Sequence, residues 1–352
     1  MAVTKRWSQR PPGSTWGDWG DDDELGRINL LTPEKVLEGV REVEHGTTFC
    51  LSLPLDYPGG TALNQRRYPP VLAPTEDMQG NPAAFYNVPM REMAEGNDSF
   101  YDVWADDQVT LSLQYSTQWD ALAHVGAEFD ADGDGVDEAV YYNGYRAGVD
   151  LVGPAEDARG DGSGHRCFAH HLGLEHMAFH GVQGRGVLID LVHHLGHDFR
   201  GVTLEMLEEV MAADGVVVEP GDMLLLHTGF ATKVLEWNRE PDPVEIHRMC
   251  SWLDARDESL LDWIADSQIS ALIADNYAVE GFTARRSGEK HSLLPIHHLC
   301  LFRLGVPLGE MWYLHELAAW LREHHRSRFL LTAPPMRMPG IVGSPLTPIA
   351  TV

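Results

Sequence analysis

Val109-Thr-Leu-Ser-Leu-Gln-Tyr-Ser-Thr-Gln-Trp-Asp120 carries the plainest strand signal in the chain, because its side chains sort by parity. Leu111, Leu113, Tyr115 and Trp119 fall on one parity, and Ser112, Gln114, Ser116, Gln118 and Asp120 on the other. Successive strand side chains point to opposite faces, so the spacing predicts a strand with one apolar and one polar face. Outward from it, Gly186-Val-Leu-Ile-Asp190, Met223-Leu-Leu-Leu-His227 and Ile269–Ala274 are short apolar runs of the kind that form buried strands. Helical stretches lie between them. Thr32-Pro33-Glu34 pairs a capping hydroxyl with proline at the first helical position and predicts a helix to about Val43. Thr203 caps an amphipathic run to Met211, Ser259–Ile264 reads as helix, and so does Glu310–Arg322. Strands and helices alternating in this way predict an α/β fold.

Thr47–Leu55 alternates like a further strand, whereas residues 56–108 are rich in Pro, Gly and Asn and carry no period. A loop of that length in a compact domain reads as functional, or as a lid. The first thirty residues read as an arm, with Pro11-Pro12-Gly13, Trp16, Trp19 and the acidic run Asp21-Asp22-Asp23-Glu24. Leaving the two indoles in water is unfavourable, which predicts that they pack on this chain or on a partner subunit. There is no internal repeat and no linker, so residues 1–30 are expected to be an N-terminal arm and 31–352 a single domain.

A net charge of −27 makes nucleic acid and anionic membrane poor partners. The N-terminus lacks an apolar leader, and no run approaches the roughly 18 apolar residues of a membrane span. Cys50, Cys167, Cys250 and Cys300 lie far apart with no CxxC pair, which argues against a disulfide framework or a zinc knuckle. The expectation is a cytoplasmic protein acting on a small molecule.

Two groups of residues can carry chemistry. If the strand persists, Gln114, Gln118, Asp120 and His124 share one side and could hold a metal or orient a polar substrate. From spacing alone a polar face turned to water, with Asp120 and His124 capping a turn, is the plainer reading. The second group is Pro295-Ile-His297-His298 followed by Gly309-Glu310. There too spacing alone favours ordinary core or surface histidines and a glutamate at the positive end of a helix. Asp130-Ala-Asp132-Gly-Asp134-Gly135 imitates the start of a calcium loop, but its twelfth position is Tyr141 in place of a bidentate glutamate, so it reads as an acidic insertion. Gly181-Val-Gln-Gly184-Arg-Gly186 precedes a strand where a dinucleotide fingerprint must follow one.

The segment Gln114-Tyr-Ser-Thr-Gln118-Trp-Asp120-Ala-Leu-Ala-His124 resembles, in frame, the His-x-Gly-Thr-His-x-Asp-x-Pro-x-His of the cyclase family of metal-dependent amide and lactone hydrolases, which includes kynurenine formamidase and isatin hydrolase. His297 and Glu310 resemble the family's downstream histidine and glutamate. Further stretches follow in order: Trp19–Asn29, His180–Asp190, Pro220–Gly229, Ala274-Asp-Asn276 with Glu280, and Gly343–Ala350. The resemblance runs from about Trp16 to Ala350. It implies a swivelling β/β/α domain, a mostly β core with helices around it, that forms homodimers or larger even assemblies. Trp16, Trp19 and the acidic arm would then serve as exchange contacts between subunits.

Carried position by position, the family's metal ligands fall on Gln114, Gln118, Asp120, His297 and Glu310, with His298 competing with His297. Its proton-transfer histidine falls on His124, and His180 and His227 could line the pocket. Two family histidines are glutamines here, and the motif glycine and proline are Ser116 and Leu122. A glutamine offers only a neutral carbonyl oxygen, so the expectation is one divalent ion in an oxygen-rich set that suits manganese at least as well as zinc. The implied reaction is hydrolysis of a cyclic or N-acyl amide, or a lactone, on a small aromatic or heterocyclic substrate. Trp119 is expected as a pocket wall, completed by Phe85, Tyr86 and Trp104, although for each aromatic taken singly ordinary packing is the plainer reading. Two alternatives stand beside hydrolysis: a metal-assisted or metal-free cyclase or dehydratase of secondary metabolism, and a non-catalytic binding relative that has lost its metal.

Overall fold

Leu224, Leu225, Leu226, Leu272, Ile273 and Ala274 are all buried, as side chains must be where helices or loops cover both faces of a sheet. The computed structural model, which describes residues 5–76, 85–93, 99–154, 167–281 and 291–352, places them at the centre of one mixed sheet. Its strands, among the described residues, are β1 (Thr48–Cys50), β2 (Gln118–Asp120), β3 (Gln183–Ile189), β4 (Met223–Leu226), β5 (Ala271–Ala274), β6 (Leu308–Glu310), β7 (Arg328–Thr332), β8 (Gly343–Pro345) and β9 (Ile349–Thr351). Their spatial order is β1-β9-β7-β3-β4-β5-β6-β2-β8. The four central strands, β3 to β6, run parallel. Antiparallel strands close both flanks: β7, β9 and β1 on one side, β2 and β8 on the other. This large sheet with surrounding helices is the mostly β arrangement that the resemblance implies.

The helices begin where their caps predict. In α1 (Pro33–Arg41) the Thr32 hydroxyl accepts from the Lys35 amide, and in α2 (Leu204–Asp214) Thr203 accepts from Met206. Asp257 does the same for α3 (Glu258–Asp266). The short α4 (Pro295–His297) runs on into a π-helical stretch over His298–Leu304, and α5 spans His315–Glu323. At α1 the backbone of Gly39 lies against β3, and a Cβ there would come within 2.7 Å of the Gly184 carbonyl group. Beside this contact the buried Asp222 carboxylate accepts from Arg185 Nε at 2.8 Å and Lys35 Nζ at 3.3 Å, fixing the helix to the sheet by charge as well as by shape.

Two expectations are corrected. The strand over 109–120 is broken: Asp107–Thr110 pairs with Val71–Pro74 in a separate two-stranded sheet, and residues 111–117 are turns and irregular backbone. The long loop intervenes here, since the Tyr115 hydroxyl donates to Gly60 O at 2.9 Å and the Ser112 hydroxyl accepts from the Tyr68 amide at 2.8 Å. Glu310 ends strand β6 and does not begin a helix; α5 starts five residues later, after Met311 turns the chain at φ 57°. Trp16, expected to pack on this chain or on a partner subunit, is fully buried in this chain, edge-on to Phe302 at 5.2 Å with its Nε1 donating to the Phe302 carbonyl. Trp19 is half-buried. No helix of the described residues is long and apolar enough to cross a membrane.

Candidate metal centre

The register of β2 builds the site. Gln118 lies opposite Glu310 of β6, and Asp120 lies two residues further along the same face. Trp119, between them, must point the other way. It packs against Trp312 with ring centroids 5.1 Å apart, and its Nε1 donates to Ala333 O at 2.8 Å. The residue expected as a pocket wall is therefore core, by the same parity that brings Asp120 to the site.

The third ligand residue is the last of the short α4. His297 Nε2 lies 3.3 Å from Glu310 Oε1, and its Nδ1 is 2.8 Å from Glu280 Oε1. Glu280 also accepts from the backbone amides of Ile296 and His297 at 3.0 and 2.8 Å. One carboxylate thus holds both the helix start and the ring that projects from it, which fixes where Nε2 points. His298 turns away into the core, 5.1 Å from the ring of Phe302, and burial lowers its pKa to about 4.

Asp120, His297 and Glu310 are all buried, and each offers a ligand atom within 4.8 Å of the others. The donor set of one imidazole and two carboxylates suits a divalent ion. Burial raises the pKa of Asp120. Burial alone would lower His297, but hydrogen bonds to Glu280 and Glu310 overcome it and push its pKa up to about 10. For Glu310 burial acts upward, but the hydrogen bond from His297 together with the charges of His297 and Arg67 outweighs it, so the net shift is down.

The remaining expected ligands sit differently. Gln118 points its amide nitrogen at the carboxylates, 3.1 Å from Glu310 Oε2 and 3.2 Å from Asp120 Oδ1, while its oxygen faces Arg67. A donor between two carboxylates relieves their repulsion, so Gln118 serves them as a hydrogen-bond donor in this arrangement. Gln114 stands outside the cluster: the break in the strand removes the parity that linked it to Gln118, and its side chain lies beside Gly343. His124, on the turn after β2, keeps part of its ring accessible, with Nε2 3.9 Å from Asp120 Oδ1. Tyr86 lies in a strand, directly after Phe85, that among the described residues pairs with Val103–Ala105 in a separate two-stranded sheet, and Tyr86 is half-exposed. Trp104 sits in that sheet too, its Nε1 on Asp106. His180 is exposed, and the buried His227 pairs with Asp190 at 2.8 Å. Asp130, Asp132 and Asp134 do converge, but their oxygens accept from the loop's own amides and from Arg146.

Glu280, Arg67 and Tyr277 border the centre without having been assigned a role from the sequence. Arg67 and Tyr277 meet in a narrow cleft with Asn64 and Gln114, and Tyr277 and Glu280 also line a cavity of about 360 Å³ with Phe199, Phe230, Met249 and Trp252. Backbone strain gathers here as well. Ala278 and Val279 stand at φ 95° and 62° immediately before Glu280, and Met311 follows Glu310 in the same region. A β-branched residue at positive φ is uncommon, and such strain collects at functional sites.

Comparison with known proteins gives a consistent picture. The Cyclase family model matches residues 51–281. A crystal structure of a novel cyclase is 31% identical, covers 98% of this chain and 100% of its own, and superposes with a TM-score of 0.71. Isatin hydrolase A from Ralstonia solanacearum shares the fold at 13% identity, with a TM-score of 0.52 over 86% of this chain and 91% of its own. Isatin hydrolase A from Labrenzia aggregata, bound to benzyl benzoate, does so at 14% identity, with a TM-score of 0.50 over 86% and 93%. No curated protein sequence matches significantly.

Proposed function

The chain belongs to the cyclase family, and from that premise we propose that it is a metal-dependent hydrolase of a cyclic or N-acyl amide, or a lactone, on a small aromatic or heterocyclic substrate. The observation that carries the reading is the convergence of Asp120, His297 and Glu310, with Glu280 orienting the imidazole. A divalent ion held by these three residues supplies a Lewis acid and lowers the pKa of water toward neutrality. His124, partly accessible beside Asp120, passes a proton to the leaving nitrogen or oxygen. The aromatic cavity that shares Glu280 and Tyr277 with the centre takes the ring of the substrate.

The test is metal content by plasma mass spectrometry after incubation with manganese or zinc, followed by ring-opening assays on cyclic amides, isatin first. Metal-dependent turnover that a chelator abolishes supports hydrolysis. Protein that stays empty of both ions overturns it, and leaves cyclisation without metal or simple binding as the remaining readings.

Two further results are expected. A ligand imidazole must shed its proton, so metal uptake releases protons and affinity falls by about tenfold per pH unit, for each proton displaced, as the pH drops below the value of about 10 for His297. Calorimetric titration with manganese in buffers of different ionisation enthalpy measures that release; uptake without it removes His297 from the ligand set. Glu280→Gln keeps the shape of the support but not its charge. Metal affinity is expected to fall by roughly 10–100-fold with the circular dichroism unchanged.

A further inference from the structure

We propose that Arg67 is an anion-binding residue of the site, and that the substrate carries a carboxylate or a comparable anionic oxygen beside the bond that is broken. The inference rests on the hydrolase reading above and adds the charge of the substrate to it.

Arg67 comes from the unpatterned loop and lies beside Gln118, whose amide nitrogen donates to the carboxylates of the centre. Its Nη1 donates to Gln114 O at 2.8 Å and lies 3.5 Å from Gln118 Oε1. That places the guanidinium one residue outside the buried carboxylates: its charge reaches Asp120 and Glu310, yet among the described residues it forms no ion pair with either. Acids outnumber bases 53 to 26 in this chain, and other arginines use that surplus. Arg185 pairs with Asp222, Arg256 with Asp254 and Arg239 with Asp56. Arg67 is half-buried, and its Nε and Nη2 have no hydrogen-bond partner among the described residues.

With a divalent ion bound and the imidazole neutral, the carboxylates of Asp120, Glu310 and Glu280 leave one negative charge, and Arg67 cancels it, so an anion that reaches the unpaired N–H groups meets a neutral site and not a negative one. The guanidinium stands 5.5 Å from the ring of Tyr277, in the cleft it shares with Leu63, Asn64 and Tyr115. A planar fork of N–H donors with two groups unpaired pairs better with a carboxylate than with any neutral group. The competing role is mechanical: the bond to Gln114 O could simply clip the loop to the segment before β2.

The test compares benzoate with benzamide, which share a ring and a shape but differ in charge. Both are titrated calorimetrically into manganese-loaded full-length protein, native and with Arg67→Gln or Arg67→Lys, after metal content has been measured for each. The expected result is that native protein prefers benzoate, that Arg67→Gln weakens benzoate by at least about tenfold and leaves benzamide unchanged, and that Arg67→Lys keeps part of the preference. Benzoate binding that survives Arg67→Gln, or native protein that does not prefer it, overturns the proposal. A variant that loses metal together with benzoate assigns Arg67 to holding the loop and also overturns it. Native protein that takes up no metal fails at the first measurement, which identifies the hydrolase premise as the part at fault.

Discussion

Asp120→Ala is expected to yield folded protein that holds no metal and does not turn over. Asp120 is fully buried on a strand paired on both sides, by β6 and β8, and among the described residues no fourth ligand group joins the cluster to replace it. Loss of a ligand should weaken metal binding by more than about a hundredfold, the upper end of what an outer support contributes. Loss of the ion removes several kcal/mol of transition-state stabilisation, about three orders of magnitude in rate or more.

The stability effect runs in the opposite direction. Asp120 and Glu310 are two carboxyls buried side by side, and burial already raises the pKa of Asp120. Without metal, removing one of them relieves desolvation and repulsion, so the melting temperature of Asp120→Ala should equal or exceed that of native protein in chelator. With manganese the order reverses, because only the native chain gains from binding. Metal content and melting curves with and without manganese measure both halves. A variant that keeps its metal and its activity removes Asp120 from the centre altogether.

Much of the architecture was legible because its causes are local. Apolar runs such as Met223–Leu226 declare a strand covered on both faces, and Thr32 and Thr203 declare helix starts, within a few residues each. The misreadings have distant causes. The strand over 109–120 fails because loop residues Gly60 and Tyr68, some fifty positions away, bond to Tyr115 and Ser112. That break separates Gln114 from Asp120, whereas Gln118 stays because it lies within β2. Trp119 could have been placed from sequence, since the parity that turns Asp120 toward the site turns its neighbour away from it. Glu280 and Arg67 lie where no periodicity exists to read, and their roles come only from what the fold carries to their side chains. The family resemblance led to Asp120, His297 and Glu310, but it could not say that Gln118 would offer a nitrogen.

Trp16→Ala is expected to destabilise the protein by about 3–5 kcal/mol, the range for truncating a buried aromatic, and to lower the melting temperature by roughly 5–10 °C. The indole is fully buried between Phe129 and Phe302, and its Nε1 donates to Phe302 O at 2.7 Å, so truncation leaves both a cavity and an unpaired carbonyl. The contact reaches the metal centre. Phe302 belongs to the π-helical stretch that continues from His297, and Gly26 of the arm meets Gly305 at the end of that stretch so closely that a Cβ on Gly26 would lie 2.2 Å from Gly305 O. The arm therefore braces the helix that presents His297, and Trp16→Ala should also weaken manganese binding, though by less than Glu280→Gln does. Trp16→Phe, which keeps most of the ring, should recover most of both losses. Melting at several protein concentrations separates this account from the one in which Trp16 is a subunit contact. An intrachain core residue shifts the curve equally at every dilution, whereas a contact between subunits produces a deficit that changes with concentration.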